Sequence, residues 1–305
     1  MAFPLHRRLS ERAAEAVIRM AGVTAIILVI LIFVFLLRDA LPLLRTTSLG
    51  ALLSGSEWYP TDGKFGFLPL IIGSALVTVG AVAFAIPIGV AAAVYVAIIA
   101  PARLREFLKP SIEMVAAVPS VVVGFIGLVT LGPFLQKFFH LESGSVALTG
   151  SIMLAFMALP TIVSIAEDAL TSVPKDYASG SLALGATRWQ TVWRVLLPAA
   201  RPGIVAATML GVGRAIGETM TVLMVTGNAF AQTKMIDGKM VNVLPYTLLQ
   251  PVRTMTATIA AEMGETVQYS HHYSALFMLG LCLFVITFAI NLVADVALHR
   301  MPKHG

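Results

Sequence analysis

The chain has 305 residues, 58% of them hydrophobic and 12% charged, with a mean hydropathy of +0.88. That balance describes a polytopic membrane protein and overrides the one or two soluble domains the length alone would allow. A single cysteine, Cys282, excludes an intramolecular disulfide, the net charge of +5 needs no nucleic-acid partner, and no Gly-rich phosphate loop, HExxH or paired-cysteine metal site is present. No cofactor, metal or catalytic residue is therefore expected, and the energy that drives the chain must come from elsewhere.

Taken in order, the first 19 residues form a basic tail carrying Arg7, Arg8, Arg12 and Arg19. The uncharged run 20–37 is 18 residues long, near the roughly 20 needed to cross a bilayer. Its long apolar core and the lack of a convincing cleavage site make it a retained first span rather than a signal peptide. The loop completing residues 20–66 contains Trp58-Tyr59-Pro60 and Phe65-Gly66, with Phe67 just beyond, aromatics that suit a segment lying along the membrane interface. No charge falls between Lys64 and Arg103, which predicts one long span kinked near Pro87 and ending around Ala100. Arg103, Arg105 and Lys109 mark a cytoplasmic turn. Glu113 and Lys137 bracket a third span containing Pro119-Ser120, and Glu142 and Glu167 bracket a fourth.

The polar loop 173–198 follows, the most structured-looking stretch of the chain. Pro174 opens a short helix, and Gly185 is placed to end it in the left-handed conformation that glycine adopts without steric cost. Thr187 and Gln190 have capping-box spacing, which starts a second helix running to Leu197, where Pro198 stops it. Trp189 and Trp193 lie one turn apart on one side of that helix. A helix, a glycine corner and a second helix make a shape built to be held by another protein; an amphipathic surface helix with interfacial tryptophans is the plainer alternative.

Pro202 opens the fifth span. An outer segment, residues 227–272, includes a helical-looking stretch at 253–265, a sixth span covers 273–294, and residues 299–305 form a second tail. Thirteen Lys and Arg fall in the segments assigned to the cytoplasm and seven in those assigned outside, so both termini and the 173–198 loop are placed in the cytoplasm. Within the fifth span, Arg214 and Glu218 are four residues apart and expected on one helix face. An arginine near a bilayer centre costs about 2.5–3.5 kcal/mol on insertion scales, so the pair should face the protein interior or a water-filled path. Either it is a self-satisfied ion pair, or Arg214 meets a passing anion while Glu218 holds it or gates. Ser120 and Thr219 are further candidate donors along the same path. The four-residue series Ala207/Gly211/Ala215 and Gly213/Gly217 allow neighbouring helices to approach closely.

Gly185, nine residues, Val195, one residue and then Leu197-Pro198 resemble the "EAA" loop of ABC-transporter permeases. That resemblance implies a cytoplasmic coupling helix docked in a groove of an ATPase, with Ser179, Gly185, Ala186, Thr187, Trp189, Trp193, Val195, Leu197 and Pro198 as coupling residues. The chain departs from the family pattern at Ser179, Gly180 and Ser181, which stand where an acidic residue and two alanines are usual. Residues 213–228, GRAIGETMTVLMVTGN, together with 57–78, 112–128 and 253–265, are similar to the Pst phosphate-uptake permeases, and to the PstC subunits more than the PstA ones. The resemblance implies an all-α, six-span type I importer fold with its permease core at 67–298, a multi-pass protein of the bacterial inner membrane. The implied partners are a sister permease PstA, two copies of the ATP-binding subunit, a periplasmic phosphate-binding protein, inorganic phosphate and membrane lipid. Sulfate or molybdate are alternative substrates, and a gated anion channel or a membrane-embedded enzyme are readings from other classes. A channel needs no capped docking loop, and the adjacent His271-His272 is poor metal geometry on a helix.

Overall fold

The computed structural model describes residues 5–229, 232–236, 239–243 and 247–299, and the side chains of 14–229 and 247–296. Helix α1, Leu5–Ala40, is continuous with the basic tail, and its span lies exposed along the lipid-facing side. A short helix α2, Leu49–Ser54, leads into a two-stranded antiparallel hairpin, β1 Trp58–Tyr59 and β2 Lys64–Phe65. Helix α3, Leu68–Val94, passes through Pro87 and ends in a wider π turn, Tyr95–Ile99, one span as the absence of charge implied.

The third span differs from expectation. Glu113 sits not on it but on a separate helix α4, Ala102–Ala116, whose mixed polar and apolar residues leave it lying beside the bundle with nothing fully buried. The chain breaks at 117–119, because Pro119 disfavours helix at the residue before it, and resumes as α5, Ser120–Ile126, a π turn Gly127–Leu131 and α6, Gly132–Phe139. Helix α7, Ala147–Thr171, is the most buried span and the centre of the bundle. The loop helices are α8, Lys175–Ala183, and α9, Arg188–Thr191.

Pro198 does not stop the next helix, nor does Pro202 begin it. A π turn, Val192–Leu196, joins α9 directly to α10, Leu197–Gly217. The extra residue in that turn lets Leu197 N–H bond Val192 O and carries the helix past both prolines. Two residues, Glu218 and Thr219, separate Gly217 from α11, Met220–Val225. An antiparallel hairpin of β3, Gln232–Ile236, and β4, Lys239–Val243, was not expected in the outer segment. Helix α12, Met255–Glu262, matches the helical stretch expected there, and α13, His271–His299, is the sixth span. The C-terminal tail with Arg300 and Lys303 lies outside the described residues.

Among the described residues, six helices are long and apolar enough to cross a membrane. Their contacts are made by small residues, as lipid-embedded packing requires. A Cβ on Gly211 would lie 2.5 Å from Ile162, one on Gly89 2.7 Å from the same side chain, and one on Gly203 2.4 Å from Ala169 Cβ. The Ala207/Gly211/Ala215 series therefore faces α7, whereas Gly213 and Gly217 meet nothing within 4 Å.

The aromatic loop is a second correction. Trp58 and Phe67 are fully buried against α13 rather than spread along an interface. Trp58 Nε1–H points to both carboxylate oxygens of Glu262 at 3.1 Å. Arg253 reaches Glu262 at 2.8 Å, and His272 Nε2 reaches the other carboxylate oxygen of Glu262 at 2.7 Å. Burial pulls the Arg253 pKa down from its ordinary value, with Glu262 opposing it. This cluster ties the β1–β2 hairpin, α12 and α13 together around one carboxylate.

Candidate functional site

The 173–198 loop stands away from the bundle, with almost every side chain of α8 and α9 exposed. Its shape comes from backbone satisfaction rather than from burial. Gly185 has φ +85°, its N–H bonds Leu182 O at 3.0 Å, and Ala186 N–H bonds Ser181 O at 3.2 Å, the paired closure of a helix ending on a left-handed glycine. Thr187 N–H then donates to Gln190 Oε1 at 2.9 Å while Gln190 N–H donates to Thr187 Oγ1 at 3.2 Å, so the capping box forms as its spacing implied. Ser181 and Thr191 hydroxyls meet at 3.0 Å and pin α8 to α9. Ser179 turns its hydroxyl back on its own helix, to Lys175 O and Asp176 O, and presents no charge.

Between the two helices lies an open cleft of about 520 Å³, floored by Ser181 and Val195 and flanked by Tyr177, Leu184 and Arg194. Trp189 and Trp193 pack edge to face, ring centres 5.6 Å apart, and remain 60% and 56% exposed. Val195 and Leu197 are half-buried where the loop joins the bundle, and Pro198 is exposed there. The loop thus presents two exposed, mutually packed tryptophans beside an open cleft.

Two helix breaks meet inside the bundle. The first is at 117–119, between α4 and α5, and the second is at Glu218–Thr219, between α10 and α11. Thr221, fully buried, donates its hydroxyl to Ser120 O at 3.0 Å and fastens one break to the other. Gly124 lets α5 close on this point, since a Cβ there would lie 3.1 Å from Thr221 Cα.

The expected four-residue pair does not form. Glu218 has extended backbone (φ −71°, ψ 133°), so it leaves the helical register that would stack it over Arg214. Its carboxylate instead accepts Thr221 N–H at 3.3 Å, capping α11, while its carbonyl accepts Thr256 Oγ1 at 2.9 Å from the buried start of α12. Thr219 donates to Gly217 O at 3.3 Å. Arg214 turns the other way: Nη1 donates to Thr161 Oγ1 at 3.3 Å and Nη2 to Ala116 O at 3.2 Å. The break thus separates a cation tied to α4 and α7 from an anion tied to α11 and α12. Thr161, Thr221 and Thr256 were missed in the sequence, where threonine in an apolar span is unremarkable; the only signal was the Thr221 position three residues after Glu218.

Helix α4 is itself held by two cationic anchors. Lys109 Nζ reaches Asp168 at 2.8 Å and the buried Glu167 at 2.7 Å, and those hydrogen bonds raise its pKa well above the ordinary lysine value. Arg105 bonds Val96 O at 2.8 Å and also Ala97 O, capping the open carbonyls at the end of the second span.

Comparison with known proteins identifies the family and the fold. A family model described as "Binding-protein-dependent transport system inner membrane component" matches residues 85–303. The chain is 42% identical over 243 residues to the "Probable ABC transporter permease protein YqgH" of Bacillus subtilis, covering 79% of this chain and 75% of that one. It is 33% identical over 312 residues to the "Phosphate transport system permease protein PstC" of Mesorhizobium japonicum, covering 96% and 91%. Among solved structures, a bacterial ABC transporter involved in import of the acidic polysaccharide alginate superposes with a TM-score of 0.62 at 14% identity, over 97% of this chain and 100% of that one. The inward-facing MetNI methionine ABC transporter superposes with a TM-score of 0.56 at 20% identity, over 76% and 94%. These structures share the type I importer permease fold. The chain belongs to the family of inner-membrane components of binding-protein-dependent transport systems.

Proposed function

We propose that the chain is the transmembrane subunit of an ATP-driven importer of inorganic phosphate, forming the translocation path with a sister permease. The observation that carries the reading is mechanical. The capped 173–198 loop runs without interruption into the helix that bears Arg214, and that helix breaks just beyond it. From Arg188 to Gly217 the helical run is 30 residues, about 45 Å at 1.5 Å per residue. A tilt imposed on α9 by a closing ATPase dimer would therefore reach the break as a rigid-body displacement.

In this reading the loop residues Ser179, Gly185, Ala186, Thr187, Trp189, Trp193, Val195, Leu197 and Pro198 engage one of two ATPase copies in the cytoplasm. A phosphate-loaded binding protein docks on the outer segment, and both termini are cytoplasmic. Arg214, Glu218, Thr219 and Ser120 line the path at the meeting of the two breaks, where Arg214 offers the planar fork that suits a tetrahedral oxyanion. Alternating access follows from rocking one helical layer about this point. The chain hydrolyses nothing itself in this scheme; ATP turnover belongs to the partner. Phosphate is favoured over other oxyanions by the 33% identity to a phosphate transport permease over most of both chains.

Transport of labelled phosphate, sulfate and molybdate by the complex reconstituted into ATP-loaded vesicles tests the substrate assignment. ATP-dependent phosphate accumulation that neither competitor suppresses is expected. Preferential accumulation of sulfate or molybdate would reassign the substrate, and accumulation without ATP would make the protein a channel.

A further inference from the structure

Two features converge on the Arg214 guanidinium, and neither is explained by helix packing. One is the carbonyl of Ala116, in the last turn of α4. The residue three positions on, where a tightened last turn would find its donor, is Pro119, which has no N–H to give. Arg214 supplies a donor to that carbonyl from another helix. The other is Thr161 on α7, whose hydroxyl accepts from the second terminal nitrogen. Its position is fixed by its neighbour: Ile162 is 1% exposed and sits where Cβ atoms on Gly89 and Gly211 would collide with it, so α7 cannot rotate at this level.

Both contacts, at 3.3 and 3.2 Å, are longer than the roughly 2.7–2.9 Å of a guanidinium bound to an anionic oxygen. They are neutral acceptors holding a charged donor loosely, and an oxyanion would replace either with a shorter, charge-assisted bond. The Ala116 carbonyl lies in the last turn of α4, seven residues past the Lys109 anchor and next to the break at 117–119, so that end can move away while the anchored part of α4 stays held. The Thr161 hydroxyl rides on the most buried span and cannot.

We propose that Thr161 is a positioning residue that keeps the Arg214 guanidinium oriented through the transport cycle, and that the Ala116 carbonyl occupies the place the oxyanion takes. This rests on the reading of Arg214 as a residue of the translocation path. It assigns the two neighbours different fates: the Thr161 hydroxyl stays, and the carbonyl is exchanged for substrate. Loss of the hydroxyl leaves the guanidinium free to rotate toward Ala116 O and raises the substrate concentration needed to displace it.

The test is a set of variants in the reconstituted complex, with assembly and the ATPase rate checked for each. Thr161→Val removes the acceptor at constant shape and should raise the half-saturating phosphate concentration about tenfold, the effect of losing one hydrogen bond to a charged group. Thr161→Ser keeps the acceptor and should be near normal. Thr161→Ala repeats the valine test if the valine variant does not assemble. Arg214→Gln should abolish uptake, and adding Thr161→Val to it should change nothing further. Should Arg214→Gln abolish uptake while Thr161→Val and Thr161→Ala leave half-saturation unchanged, the positioning role is wrong and the path reading stands. Should Arg214→Gln transport normally, the path reading fails and takes this inference with it. An equal loss in Thr161→Ser and Thr161→Val would make the site a packing requirement and overturn the proposal.

Discussion

Ile162 fills the space that Gly89 and Gly211 leave open on either neighbouring helix, and the whole bundle is set by contacts of this kind. Adding a side chain at Gly211 forces a displacement that two packed helices must share. Gly211→Leu should therefore destabilise the protein by about 1–3 kcal/mol, read as a lowered melting temperature of the purified complex, whereas Gly213→Leu, which meets nothing within 4 Å in this chain, should not disturb the isolated subunit. The small-residue spacing that announces Gly211 is readable in the sequence. What could not be read is that Glu218 leaves the helix. Nothing in RAIGETM carries a proline, and the break is decided by a glycine, a carboxylate that caps the next turn, and a threonine on α12 that takes its carbonyl. The last of these comes from 38 residues away, so the four-residue pairing implied by local spacing gave way to partners that only the fold supplies.

At the scale of elements, the corner and cap of the 173–198 loop are local and were legible. Its glycine corner and capping box close with hydrogen bonds inside a dozen residues, so sequence spacing and structure agree. A Cβ at Gly185 would meet nothing, so substitution there costs only backbone strain, about 1–3 kcal/mol for a residue held at positive φ. Gly185→Val should leave the protein in the membrane but abolish uptake and weaken co-purification of the ATPase. Gly185→Asn, which tolerates the left-handed region better, should retain more of both. Normal uptake by the valine variant would remove the corner from the coupling route. Elements tied together over distance were less legible. Trp58 reads as interfacial because its anchor, Glu262, lies 204 residues on. The hairpin of β3 and β4 was overlooked although an Asp-Gly dipeptide, a strong turn signal, stands between its strands. Pro198 reads as a stop because proline usually is one, and the π turn that absorbs it has no sequence signature of its own.

For the whole molecule, hydropathy located six spans because lipid imposes a length and a composition on each, and distant packing cannot override either. Orientation rests on the asymmetry of thirteen basic residues against seven. With Cys282 replaced, a single cysteine at Ser181 should resist an impermeant thiol reagent added outside intact cells, and one at Gly63 should react. Labelling at Ser181 from outside would invert the topology and put the docking loop out of reach of ATP. The central claim is that charge at the break between α10 and α11 serves transport rather than packing, and uptake by the Arg214→Gln, Glu218→Gln double variant tests it most directly. Arg214 and Glu218 hold separate partners, so a packing role predicts that a variant lacking both charges fails to assemble. If the charges serve the path instead, the double variant should assemble with its sister permease and ATPase yet take up no phosphate. Uptake near the unmodified rate would contradict the account.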